Sequence, residues 1–209
     1  LSPQMARHFV AIAGSLFLLR AKDDLMAVTL EQTPSAGFSD RTGGGSGMRV
    51  TCNANAGVNT QVLRMSRSSP SSVLHLRVMC SLQSWVKGNI TILRGLDALG
   101  LISFDLTCQA TGPRVELRLP GGPVLMSTAL PALSWHCIEM CIDANQGRAE
   151  LWVNGSLETS ADFSRNEAAR CNTQTFLIGG VAVTDEAVGS VDLDEWIVSG
   201  DPIGPVHVV

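Results

Sequence analysis

Along much of this chain apolar and polar residues alternate with a period of two, the repeat of a half-buried β-strand. Ile138, Met140 and Ile142 alternate with Cys137, Glu139 and Cys141. The polar, glycine-containing DANQG at 143–147 then predicts a turn. Alternation resumes beyond it, with Ala149, Leu151 and Val153 on one face and Arg148, Glu150 and Trp152 on the other. Asn154-Gly155 is a second turn signal, so residues 135–156 read as a hairpin. Further strands are predicted at 48–53, 60–66, 73–80, 89–94, 99–106, 114–119, 124–126, 175–178 and 190–198. Gly43-Gly44-Gly45, Ser68-Ser69-Pro70, Gly112-Pro113 and Pro120-Gly121-Gly122-Pro123 punctuate them. Only 163–171 predicts a short helix. Many short strands at this spacing predict an all-β sandwich or jelly roll.

The opening of the chain differs. FVAIAGSLFLL at 9–19 is an apolar run bounded by Arg7-His8 and Arg20. It is too short to span a bilayer as a helix. It resembles the apolar part of a signal peptide, but charged Arg20-Ala-Lys-Asp-Asp24 follows where a small-residue cleavage site belongs. The expectation is a buried strand or helix. The organisation expected is an N-terminal arm, or first strands packing on the sandwich, over 1–35 and a jelly-roll domain over 36–209. Both ends are apolar (Leu1-Ser-Pro, Val206-His-Val-Val209), which suits ends held against neighbours.

Composition narrows the function classes. Hydrophobic residues make up 45% of the 209, enough for a sizeable core, and the net charge of −4 argues against general nucleic-acid binding. Six cysteines (52, 80, 108, 137, 141, 171) allow many pairings, none selected by the sequence, and most sit inside apolar strand patterns. Cys137 and Cys141 lie about 13 Å apart on one strand, beyond disulfide reach. His136 belongs to the opposite face and serves neither thiol as a base. Buried free thiols are the reading adopted.

The stretch WHCIEMCIDANQGRAELWVNGS resembles the laminin-G-like members of the concanavalin A-like lectin/glucanase superfamily. There a strand opening on Trp leads through a Gly-containing turn to a strand ending in "WVNG" or "YVNG". TFLIGG at 175–180, SVDLDEWIVSG at 190–200 and SSVLHLRVMCSLQSWVKGNITILRG at 71–95 are similar to that family's strands. The resemblance covers residues 37–205 and implies a concanavalin A-like jelly-roll β-sandwich with a short N-terminal arm. It implies little about activity, because this architecture hosts enzymes, lectins and structural modules. RTGGGSGMRV at 41–50 is similar to the start of such domains in bacteriophage virion proteins, although its glycines also suit an artificial linker or a loop entering the first long strand.

Catalytic patterns are incomplete. VDLDEW at 191–196 invites comparison with jelly-roll glycosidases, whose E-x-D-x-E strand puts two glutamates on one face. Here the corresponding face reads Ser190, Asp192, Asp194 and Trp196, with Glu195 opposite. GGSGM at 44–48 misses the nucleophile elbow at its last position, and the four histidines lack metal-type spacing. No catalytic residue, resident metal or cofactor is expected. Calcium on Asp143, Asn145 or the Asp192/Asp194 pair is the weaker alternative, since these are ordinary turn and strand residues. The outer face of the hairpin, with Glu139, Arg148, Glu150 and Trp152, is the candidate ligand-binding surface, able to stack on a sugar ring and bond its hydroxyls.

Charge is also unevenly placed. Residues 41–94 carry seven basic side chains and no acidic one, whereas 143–195 carry ten acidic and three basic. Either the two halves pair within one sandwich, or a dipolar module meets neighbouring subunits. The function expected is a non-enzymatic interaction module, a structural or surface component of a phage-like virion, with other protein subunits as partners and a virion or extracellular location. The alternatives are a lectin-like carbohydrate-binding module of a secreted or cell-surface protein, and a glycoside hydrolase or polysaccharide lyase using Asp192 and Asp194.

Overall fold

Strands form where apolar residues recur at every second position, and lying side by side satisfies their backbone groups. The computed structural model describes residues 6–12, 15–21, 25–32, 38–39, 48–52, 61–83, 87–110, 112–184 and 187–203. The glycine-rich 43–47 stretch and both apolar chain ends lie outside these residues. In chain order the first strands are β1 (Ala6–Ile12), β2 (Ser15–Ala21), β3 (Leu25–Gln32), β4 (Phe38–Ser39) and β5 (Met48–Cys52). Next come β6 (Gln61–Ser71), β7 (Val73–Leu82), β8 (Asn89–Leu96), β9 (Ile102–Gln109), β10 (Arg114–Arg118) and β11 (Val124–Met126). β12 (Trp135–Asp143), β13 (Arg148–Val153), β14 (Ser156–Asp162), β15 (Thr173–Val183) and β16 (Gly189–Ser199) complete the set.

Two sheets result. One runs β1-β2-β16-β7-β12-β13-β14, with β5 also on β16 and β4 on β5; the other runs β11-β10-β9-β8-β15-β6-β3. Among the described residues, strand pairing is antiparallel except for β2 beside β16. The chain is an all-β sandwich. The apolar 9–19 run divides between β1 and β2, which pair from Ala6↔Ala21 to Ile12↔Ser15.

The inner faces hold the core. Leu74, Leu76, Val78, Ile138, Met140, Leu151 and Leu193 from one sheet join Leu63, Met65, Phe104, Leu106, Leu117 and Ile178 from the other in one cluster of buried residues. Each fully buried side chain of this size contributes about 1.5–3 kcal/mol of apolar burial. The outer face of the second sheet is laced by polar cross-strand pairs, with Arg94 on Asp105 at 2.7 and 2.8 Å and Thr91 on Thr107 at 3.1 Å.

The hairpin forms as the alternation predicts. Ile138, Met140, Ile142, Ala149, Leu151 and Val153 are all buried. Asp143 Oδ1 accepts from the backbone N–H of Asn145 and Gln146 at 2.9 and 3.0 Å, closing the turn. Asn154 and Gly155, at φ 51° and 79°, make the next tight turn.

Four elements depart from expectation. The strand predicted from residue 99 begins at Ile102, because Asp97 Oδ1 accepts from the N–H of Leu99 and Leu101, both at 2.8 Å, and holds these leucines in a turn. β6 continues past Pro70: pairing jumps from Ser66↔Thr175 to Ser71↔Thr173, and the proline lies in that irregularity, where no ladder donor is needed. The predicted helix contracts to one turn, α1 (Arg165–Ala168), capped by Ser164 and Glu167. β14 (Ser156–Asp162) carries no clean apolar alternation and forms by pairing with β13.

β16 holds the remaining difference. Trp196 does not share a face with Asp192 and Asp194. Three steps along β16 match two along β7 between Asp194↔Met79 and Ile197↔Arg77, so one extra residue is inserted. Glu195 takes it up at φ 48° and is exposed, while Trp196 turns into the core at 1% exposure. The Asp194 carboxylate accepts the Glu195 N–H at 2.9 Å and steadies the bulge.

Candidate functional site

Antiparallel register brings side chains from distant segments onto one surface. On the outer face of β7, β12 and β13, Glu139 stands between Arg77 and Trp152, and Cys141 between His75 and Glu150. Asp143 pairs with Arg148 one row further on. Glu139, Arg148, Glu150 and Trp152 therefore share one face. Three of them, Glu139, Glu150 and Trp152, line a cleft of about 440 Å³ together with His75, Cys141, Gly155, Pro202 and Ile203. Arg148 stands at the margin.

The carboxylates in this cleft are held in place. Arg77 donates from Nε and Nη2 to Glu139 Oε1 at 2.9 and 2.5 Å. Arg148 Nε donates to Glu150 Oε1 at 2.9 Å, and the Trp152 indole N–H donates to Glu150 Oε2 at 3.3 Å. These bonds fix the acceptors and the indole plane together, the arrangement a pocket uses to orient a polar ligand. Both Arg77 donors meet Glu139 Oε1, so Oε2 of this cleft-lining residue takes neither of those bonds.

His75 and Cys141 were not legible as neighbours, being 66 positions apart, and only the β7–β12 register brings them to 3.9 Å. They do not form an activated pair. Burial, reinforced by Glu150 and Asp143, pushes the Cys141 thiol up to about 11. Burial also lowers the His75 imidazole below its ordinary value, so both groups are neutral at physiological pH. Cys137 is pushed up to about 12 by burial and then by Glu139. A nucleophile needs the thiolate, so these thiols are inert. His136 is buried away from them, with Nε2 3.0 Å from the Pro131 carbonyl and Nδ1 3.3 Å from the Asn154 side-chain amide.

The aspartates weighed for glycosidase or calcium chemistry have structural partners. Asp192, 1% exposed, takes a two-pronged ion pair from Arg49 at 2.6 and 2.8 Å across β5 and β16. Asp194 caps the bulge and Asp143 closes a turn. Among the described residues no group of three or more His, Cys, Asp or Glu gathers as ligands for a metal ion.

A second groove, of about 520 Å³, lies at the other sheet between the 97–101 turn and the 119–123 turn. Leu101, Ile102, Arg118 and Arg170 border it, and Leu99 beside it is 83% exposed.

No family model matches the chain, and no curated protein matches its sequence. Solved structures do match. A sialidase superposes with a TM-score of 0.64 at 11% identity, over 82% of this chain and 17% of its own. A botulinum neurotoxin type C structure, described for a toxin whose passage into cells depends upon interaction with two ganglioside molecules, gives 0.65 at 9% identity over 96% of this chain. The ligand-binding domain of botulinum neurotoxin serotype D in complex with N-acetylneuraminic acid gives 0.62 at 10% identity over 90% of this chain. The likeness is one of fold. The chain spans 48% and 45% of the two neurotoxin structures and a smaller part of the sialidase.

Proposed function

We propose that this chain is a non-catalytic, lectin-like module that binds a glycan in the cleft over β7, β12 and β13. The observation that carries the reading is Trp152 held beside two fixed carboxylates, Glu150 and Glu139, in a cleft of about 440 Å³. An indole offers an apolar plate to a sugar ring, and oriented acceptors bond its hydroxyls. The shared β-sandwich fold adds support, since structures with it include one in complex with N-acetylneuraminic acid.

Catalysis is disfavoured by the same contacts. A glycosidase needs one carboxyl kept protonated in apolar surroundings. Here each glutamate in the cleft is met by a guanidinium.

A glycan array followed by titration of a hit tests this reading. Trp152→Ala is expected to weaken binding by roughly tenfold or more, from the loss of stacking. An array without hits, or affinity undiminished by Trp152→Ala, overturns it.

A second reading, a structural or surface component of a phage-like virion, draws on a different observation. Leu99 and Leu101, 83% and 56% exposed, form an apolar tip beside the Arg118/Arg170 groove. Apolar residues presented together on a fixed turn suit contact with another subunit.

A further inference from the structure

We propose that the β7–β12–β13 cleft selects sugars by charge, favouring amino sugars over neutral ones and rejecting acidic sugars such as sialic acid. The proposal rests on the glycan-binding reading and sets this chain apart from the N-acetylneuraminic acid complex that shares its fold.

Glu139 and Glu150 face the cleft, whereas among the described residues no arginine or lysine lines it. Arg77 and Arg148 lie to either side, each directed onto a carboxylate rather than into the open volume. Asp143, one row further along β12, acts electrostatically on His75 and adds a negative charge beside the cleft. His75 and Cys141 contribute no charge at neutral pH, as burial dictates. Among the described residues, the two carboxylates that line the site thus have Asp143 nearby as a third, while both neighbouring guanidinium groups are directed onto the lining pair.

Position matters as much as the count. Glu139, whose Oε2 takes neither Arg77 bond, stands across the strand pair from Trp152. A sugar with its apolar face on the indole can place a ring ammonium on that oxygen, and a cation near the indole face gains further attraction. A neutral sugar keeps the stacking and the hydroxyl bonds but lacks the charge-assisted one. A sialyl carboxylate would meet Glu139 and Glu150, with no arginine or lysine among the described lining residues to receive it. At a partly exposed site, one such charge contact changes affinity by roughly tenfold.

The test is a set of calorimetric titrations at pH 6.5 with three probes: a glucosamine oligomer, the matching N-acetylglucosamine oligomer, and sialyllactose. The expected order is amino, then neutral, then acidic, with roughly tenfold steps, and every affinity lowered roughly tenfold or more in Trp152→Ala. Glu139→Gln removes the negative charge of that acceptor while keeping its shape. It should cost the amino oligomer roughly tenfold and raise sialyllactose binding. Glu150→Gln, which uncovers Arg148, is the second variant and should shift selectivity the same way.

Sialyllactose bound through Trp152 as tightly as the amino oligomer overturns the charge selectivity and leaves the glycan reading standing. Amino-oligomer affinity unchanged in Glu139→Gln, Glu150→Gln and Trp152→Ala marks attraction to an acidic protein and overturns the selectivity. Failure of every oligosaccharide, whatever its charge, overturns both.

Discussion

Arg49 and Asp192, 143 positions apart, form a buried ion pair where β5 meets β16. Their hydrogen bond raises the Arg49 guanidinium above its ordinary value. Removing one partner of a buried pair strands the other charge. Arg49→Met should therefore lower unfolding free energy by about 3 kcal/mol, the low end for such pairs because Arg49 reaches water. Urea denaturation measures this, and an unchanged midpoint would show Asp192 satisfied elsewhere. The same pair bears on the charge asymmetry in the sequence: one basic residue of 41–94 neutralises one acidic residue of 143–195 inside the sandwich. Residue type and spacing revealed Glu139, Arg148, Glu150 and Trp152 as sharing a face. Neither could reveal Arg77 or His75 beside them, because both lie on another strand and arrive through register.

Gly95 shows how an element depends on a missing side chain. It sits in β8 with Phe104 paired on one side and Phe176 on the other. The two rings meet with centroids 6.5 Å apart. A Cβ at Gly95 would overlap the Phe104 ring and lie 2.5 Å from Ser103 Oγ. Gly95→Ala should cost about 1–3 kcal/mol through overpacking. Gly100→Ala, with open space around it but φ at +79°, should cost about 1–2 kcal/mol from backbone strain alone. Denaturation of both variants separates the two causes, and a harmless Gly95→Ala would contradict the packing described. Strand existence followed from alternation, yet bounds shifted where a side chain captured backbone donors, as Asp97 does. The β16 bulge left no mark in the alternation, because an inserted residue looks like any other position until its partner strand is beside it.

At the scale of the molecule, the two sheets leave the Leu99–Ile102 tip outside the core, next to Arg118 and Arg170. If that tip joins subunits, Leu99→Ser/Leu101→Ser will turn an oligomer into a monomer in light scattering after gel filtration. A wild-type chain that is monomeric at high concentration removes the assembly reading and leaves the cleft untouched. The two readings occupy different sheets, so each can fail alone.

The sequence by itself determined the all-β class, the hairpin and the face that its polar residues share, because period-two alternation and turn chemistry are local properties of neighbouring residues. Only the tertiary structure decided what those residues can do. It brought Arg77 and His75 beside them, closed a cleft with Pro202 and Ile203, gave Asp192 its arginine and turned Trp196 into the core. Charge balance and enclosure depend on pairing between distant strands, and one inserted residue is enough to change which side chains meet.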